Sequence, residues 1–364
     1  MNQIYKYSFV SVVCAALVAS AVFSGESIPT SKIQINNKAA TLLASPAAKD
    51  KISKPQFVLL SFDGSKSIKM WQDTRGFAKE MNAKGKPLHF TYFINSIYFI
   101  TKENADLYKS PREKVGVSRI GFADSKEDIV ERIKQVSGAI EEGNEIGSHS
   151  AGHFNGSEWN YEEWQQEFIS FENLLFGAQK NNPDIALQPL PIIPRDVVGF
   201  RAPELGVNND LYKTLQKFNF LYDASGVALP GAQPKKDEYG IWHIPLNTIH
   251  IGKDNSPAVA MDYSLWMHQS QGQETAHKGT LLWDEYFNEV EKAYMEDFNE
   301  NYKGGRGPIV IGHHFSLWND GVYWEAMKSF AEEVCGMKDV RCTTFREYVS
   351  YLNSINTEPL VKNQ

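Results

Sequence analysis

The chain alternates, almost throughout, between short apolar runs and stripes of apolar residues at helical spacing. "FVLLSF" (57–62) is apolar on both parities, so a strand there must be covered on both faces. That is the condition of a strand in a parallel sheet. "LHFTYFI" (88–94) repeats the texture, and "NEIGSH" (144–149), "VVGFRAP" (197–203), "FNFLYD" (218–223), "IWHIPL" (241–246) and "PIVIGHHF" (308–315) also read as strands. Between them lie helical faces: Ile129, Ile133, Val136 and Ile140; Trp164, Phe168 and Phe171; Leu211, Leu215 and Phe218; Trp283, Phe287, Val290 and Tyr294; Tyr323, Met327, Phe330 and Val334. Strand followed by helix, again and again, predicts an α/β fold with a parallel sheet under helices. About seven repeats favour a barrel closed on itself over an open sheet. Residues 104–124 and 226–280 read as insertions at the rim.

Residues 1–24 read as a secretory signal peptide, with Lys6 ahead of a short apolar run from Phe9 to Phe23. Residues 25–54, rich in Ser, Ala, Lys and Thr, read as a flexible tether, and residues 55–356 as one catalytic domain. The protein is therefore expected to be secreted or periplasmic, with no integral membrane span after cleavage. Of three cysteines, Cys14 falls in the leader, leaving Cys335 and Cys342. An even pair in an exported chain predicts a disulfide. With 42% hydrophobic residues among 364, the chain can build a large core, and its net charge of −7 argues against a nucleic-acid partner. Oligomeric state is not legible.

Polar residues gather where the predicted strands end: Asp63, then His149 and His153, Arg201, Asp223, and His313 with His314. In a barrel of this kind chemistry collects at those ends. Two imidazoles four residues apart can meet one metal. An aspartate can ligate or act as a base, an arginine can hold that carboxylate, and a last-strand histidine can protonate a leaving group. Such a set describes hydrolysis of an amide or ester. His313 and His314 are consecutive on a strand, so at most one faces the centre.

These segments resemble the polysaccharide deacetylases of carbohydrate esterase family 4, the NodB-homology fold, from about Phe57 to Leu352. "FVLLSFDGS" resembles the family's T-F-D-D-G motif, "GNEIGSHSAGH" its G-H-E-I-G-N-H-T-x-x-H, "GFRAPELG" its R-x-P, and "PIVIGHHF" its last histidine motif. The resemblance implies a distorted (β/α)7 barrel, a divalent metal ion, commonly zinc, and removal of N- or O-acetyl groups from an acetylated glycan such as chitin. Carried over, Asp63 is the general base, His149 and His153 are metal ligands, and Arg201 orients the base. His314, or in another register His313, is the general acid, oriented by Asp262 or Asp223. Arg201, Pro203, Trp266 and Trp318 are candidates for substrate contact, and Trp71, Trp266 and Trp318 either line a sugar cleft or pack the core.

One position departs: Gly64 stands where the family has its second aspartate. Three arrangements follow. Asp63 itself ligates the metal and the base comes from elsewhere; two histidines and waters hold the metal, more weakly; or the site is degenerate, leaving a glycan-binding or scaffold protein. Glu204, just after Arg201-Ala202-Pro203, is a candidate replacement carboxylate. A metal-dependent amidase on a non-glycan substrate is a further alternative.

Overall fold

The computed structural model describes residues 54–356. The expected leader and nearly all of the expected tether lie outside the described residues. In chain order the strands and helices are β1 (Gln56–Asp63), α1 (Ile68–Ala83), β2 (Thr91–Ile94), α2 (Lys126–Glu141), β3 (Glu145–Ser148), α3 (Tyr161–Leu175), α4 (Ala178–Asn181), β4 (Gly199–Phe200), α5 (Asn209–Lys217), β5 (Tyr222–Asp223), β6 (Val227–Ala228), β7 (Lys235–Lys236), β8 (Trp242–His243), β9 (Leu246–Ile251), β10 (Ser256–Val259), α6 (Asp262–Ser270), α7 (Leu281–Lys303), β11 (Ile309–His314), α8 (Trp318–Val334), β12 (Val340–Cys342) and α9 (Phe345–Ile355). None of the helices among the described residues is long and apolar enough to cross a membrane.

The main sheet runs β11-β1-β2-β3-β4-β5-β8-β7, with β12 also on β1. All its pairings are parallel except β7 on β8. Among the described residues no ladder joins its two ends. Beside β11 lies a second sheet, β10-β9-β6. It is linked by single contacts: the Gly312 amide donates to the Ala260 carbonyl at 3.0 Å, and the Val310 amide to Asn247 Oδ1 at 3.2 Å. The barrel is thus curled but distorted, and the segment 226–280 is part of its wall rather than rim decoration.

Parity along the strands sorts the core into two. Phe57 and Leu59 pack inside the barrel with Phe93, Tyr222, Trp242, Ile244, Leu246 and Val310. Val58, Leu60 and Phe62 face the helices, with Ile309 and Ile311. Both sets are buried, which is why the runs are apolar throughout. Helix α9 sends Phe345, Tyr348, Val349 and Leu352 into the inner cluster.

Several strands are shorter than the apolar runs that predict them. "FNFLYD" yields only Tyr222–Asp223, because Phe218 caps α5 and Asn219 turns the chain at φ 60°. "VVGFRAP" yields only Gly199–Phe200. Helix α2 begins as its sequence predicts, with the Ser125 hydroxyl accepting the Asp128 amide at 3.1 Å.

Cys335 and Cys342 form a disulfide that joins the end of α8 to β12. It closes a short loop, and loop-closure entropy alone makes it worth roughly 2–3 kcal/mol. Cys335→Ser is expected to lower the unfolding free energy by that amount in urea titrations. An unchanged midpoint at unchanged slope would show that the bond constrains nothing.

Candidate active site

The inward parity of the strands delivers the polar residues to one end of the barrel. On β1 the inward series is Phe57, Leu59, Ser61 and Asp63; on β11 it is Val310, Gly312 and His314. The parallel register sets Asp63 opposite His314 and Phe62 opposite His313. His149 and Arg201 each follow the last residue of a neighbouring strand.

Asp63 is almost completely buried and paired with Arg201, whose Nη1 donates to Asp63 Oδ1 at 2.8 Å and to Ser61 Oγ at 2.9 Å. Arg201 Nε donates to the Ala224 carbonyl at 3.0 Å, and the guanidinium stands 4.4 Å from the centre of the Phe93 ring. Gly312 makes room for it: a Cβ there would lie 2.7 Å from Arg201 Nη1. Burial raises the Asp63 pKa, but Arg201, with His149 and His314, more than offsets this and holds the carboxyl below the usual range. Asp63 is therefore an anion at neutral pH.

His149 is buried, and its Nδ1 donates to the Arg201 carbonyl at 2.7 Å. That bond leaves Nε2 with its lone pair. The His153 ring lies 4.9 Å from it, centre to centre. Burial brings His149 down to about 3 against the pull of Asp63, and burial with His314 lowers His153 as well. Both imidazoles are thus neutral near pH 7, the form that ligates metals.

His314 carries the opposite charge preference. Burial pulls its pKa down, but Asp262 overrides this and raises it. His314 Nδ1 bonds Asp262 Oδ1 at 2.7 Å, and the His314 amide donates to Asp262 Oδ2 at 2.9 Å. The Ser316 hydroxyl completes the set at 3.1 Å. Nε2 of His314 is thereby left for the cleft. His313 points the other way, to the helices, where its Nε2 meets the Tyr294 hydroxyl at 2.9 Å and burial brings it to about 4.

Asp223 does not join this group. Its parity is outward: it binds the Ser225 amide at 3.1 Å and the Ser225 hydroxyl, and lies 3.7 Å from His243 Nδ1. The carboxylate at His314 is Asp262. Of its two readings Trp71 takes core packing: it is a fully buried residue whose Nε1 donates to the Ser65 carbonyl. Trp266 and Trp318 stack face to face at 4.7 Å, with Trp318 5.5 Å from the His314 ring. Tyr263, 47% exposed, sits 5.8 Å from Trp318 and adds a third ring to this wall, the member that sequence reasoning missed. Pro203 is buried in the turn after Arg201. Glu204 beside it is exposed, and accepts from Asn155 Nδ2 at 3.2 Å.

Among the described residues no group of three or more His, Cys, Asp and Glu side chains is arranged to hold a metal ion. Asp63 gives Oδ1 to Arg201, and Gly64 brings no carboxylate. The two neutral imidazoles fit a cation held by two nitrogens, with its other positions left to water or substrate. That is one protein ligand fewer than catalytic zinc sites commonly have. Gly64 adopts φ 95°, a conformation costly for any L side chain, although a Cβ there would meet nothing within 4 Å. Gly64→Ala is expected to cost about 1–2 kcal/mol of stability from the backbone alone. Denaturant titration checks this, and a neutral result would contradict the positive φ.

No family model matches the sequence, and neither does any curated protein. Among solved structures, the chain is similar to a Mycobacterium smegmatis protein assigned to the polysaccharide deacetylases. Identity is 15%, the TM-score is 0.50, and the match covers 85% of this chain and 94% of that one. The fold is that of the polysaccharide deacetylases. The NodB-type architecture implied by the sequence motifs agrees with it. Other similar structures are the allantoinase Puue (12% identity, TM-score 0.49, 84% of this chain and 93% of that one) and a pseudoenzyme of carbohydrate esterase family 4 from Bacillus anthracis (10% identity, TM-score 0.40, 81% of this chain and 66% of that one). A shared fold does not fix chemistry, so function has to be argued from the site.

Proposed function

We propose that this chain is a hydrolase that removes acetyl groups, by N-deacetylation, from an acetylated glycan. The observation that carries the reading is the pairing of Asp63 with His314 on adjacent strands. One is kept anionic by Arg201; the other is kept protonatable by Asp262. Two groups whose surroundings drive their charges apart suit a base and an acid acting on one bond.

Asp63 would accept the proton of the attacking water, and His314 Nε2 would donate one to the leaving sugar nitrogen. Acetamide and water thereby become acetate and amine. His149 and His153 would hold a divalent cation, zinc in the first instance, which when bound supplies Lewis acidity to water and to the acetyl carbonyl. Arg201 keeps Asp63 in place. The wall of Tyr263, Trp266 and Trp318 offers a sugar ring an apolar face beside the acid. The disulfide accords with an oxidising compartment, and with the leader-like segment it supports export.

A second reading follows from Gly64. A site short of one carboxylate could bind glycan without cutting it. The test is acetate release from N-acetylated chitooligosaccharides and O-acetylated xylooligosaccharides, with and without added zinc. The deacetylase reading expects zinc-stimulated release that His149→Ala abolishes. Oligosaccharide binding without acetate release under any metal would establish the second reading. Hydrolysis confined to a non-glycan amide would overturn both.

A further inference from the structure

Helix α3 buries an apolar face of Trp164, Phe168, Phe171, Leu174 and Leu175, and in its midst lies Glu167, with no exposed surface. Its partners are all neutral. Oε1 accepts the amides of Ala151 at 2.9 Å and Gly152 at 3.1 Å, and the Tyr108 hydroxyl meets both carboxylate oxygens at 3.1 and 2.9 Å. A carboxylate buried without a cation is costly, and an apolar residue would pack the same face without that cost.

The two amides belong to the turn that separates His149 from His153. That turn is strained: Ser150 (φ 61°) and His153 (φ 62°) are both left-handed without being glycine. It is clamped from several sides. Asn95 Nδ2 donates to the His149 carbonyl. The Arg119 amide donates to the Gly152 carbonyl at 3.0 Å, and a Cβ on Gly152 would lie 2.4 Å from the Tyr108 hydroxyl. Tyr108 and Arg119 come from the insertion 104–124, which therefore braces the histidine turn.

We infer that Glu167, braced by Tyr108, is a positioning residue that fixes the turn between His149 and His153 and so sets the spacing of the two imidazoles. Its effect on metal binding rests on the reading of that pair as nitrogen donors; its effect on the turn does not. Removing the carboxylate leaves two buried amides without an acceptor, so the strained turn relaxes and the rings move apart.

The test compares the full chain with Glu167→Ala, Glu167→Gln and Tyr108→Phe. Asp297→Ala, which removes a buried carboxylate on α7, serves as a control for lost stability. Zinc affinity is measured by calorimetry. The imidazole nitrogens of His149 and His153 and amide exchange at Ala151 and Gly152 are read by NMR. Glu167→Ala is expected to weaken zinc binding about 10- to 100-fold, shift both imidazoles and deprotect both amides. Glu167→Gln, which keeps an acceptor, recovers most of the affinity, and Asp297→Ala leaves it unchanged. Parent-like affinity in folded Glu167→Ala, or an equal loss in Asp297→Ala, overturns the inference. If the parent itself binds no zinc, the function proposed above fails. The NMR readout still decides this one, because unchanged imidazoles and protected amides in Glu167→Ala would refute it.

Discussion

Asp63→Asn is expected to lower acetate release by about two to four orders of magnitude, the usual contribution of a positioned proton acceptor. The same substitution removes the counter-charge of a fully buried guanidinium. Arg201 would keep Ser61 and the Ala224 carbonyl as partners but lose its only anion in the site. Breaking one side of a buried ion pair commonly costs roughly 3–5 kcal/mol. The loss depends on pH, and the sign follows from the depressed pKa of Asp63. A carboxyl held lower in the folded than in the unfolded chain contributes stability above its unfolded pKa of about 4. That contribution disappears as pH falls through the folded value. Parent and variant should therefore differ most near neutrality and converge in strong acid, as urea titrations at several pH values would show. A constant difference would mean that the pair is not ionic. Full activity in the variant would remove Asp63 from the chemistry.

Asp262→Asn carries the second large effect. Asp262 is the group that raises the pKa of His314 against burial, and it also holds the ring through Nδ1. The acid must be protonated to act, so activity is lost as pH rises through the His314 pKa. Without the carboxylate that pKa falls, and the alkaline limb of the pH–rate profile moves to lower pH. At pH 8 the rate should fall about 100-fold or more, while near the acid limb the deficit narrows. An alkaline limb that stays in place would separate Asp262 from the acid. A limb that moves upward would contradict the electrostatics outright.

Both predictions rest on residues that the sequence brings into view, and the reason is the period of a strand. Apolar runs locate β1 and β11, the "NEIGSH" segment marks β3, and Asp63, His314 and His149 at their ends emerge at one barrel end. Parity decides the rest. It turns His313 toward Tyr294 and Asp223 toward Ser225 and His243. Only Tyr222–Asp223 of "FNFLYD" is strand, with Phe220 in the outer cluster and Tyr222 in the inner one, so a period-2 count along the run does not give the side on which Asp223 falls. Asp262 is harder to see. It opens a short helix after the second sheet, and only the fold brings it to His314 across 52 residues. Glu167 leaves a trace that sequence reasoning passed over, a charged residue on the apolar face between Trp164 and Phe171. Open ends of the main sheet were not legible, because the joining contacts are single bonds from Gly312 and Asn247 rather than a ladder. Gly64 was visible as a departure, but its positive φ, which resists any simple return to aspartate, appears only in the backbone.

The central claim is that His149 and His153 together present lone pairs to a cation beside the Asp63–Arg201 pair. An anomalous difference map from crystals soaked in zinc, collected on both sides of the zinc edge, tests it most directly. The account predicts a single strong peak within bonding distance of His149 Nε2 and of a ring nitrogen of His153, lost after washing with chelator. Two rings that bind no zinc at saturating concentration, with the metal elsewhere or absent, would contradict it.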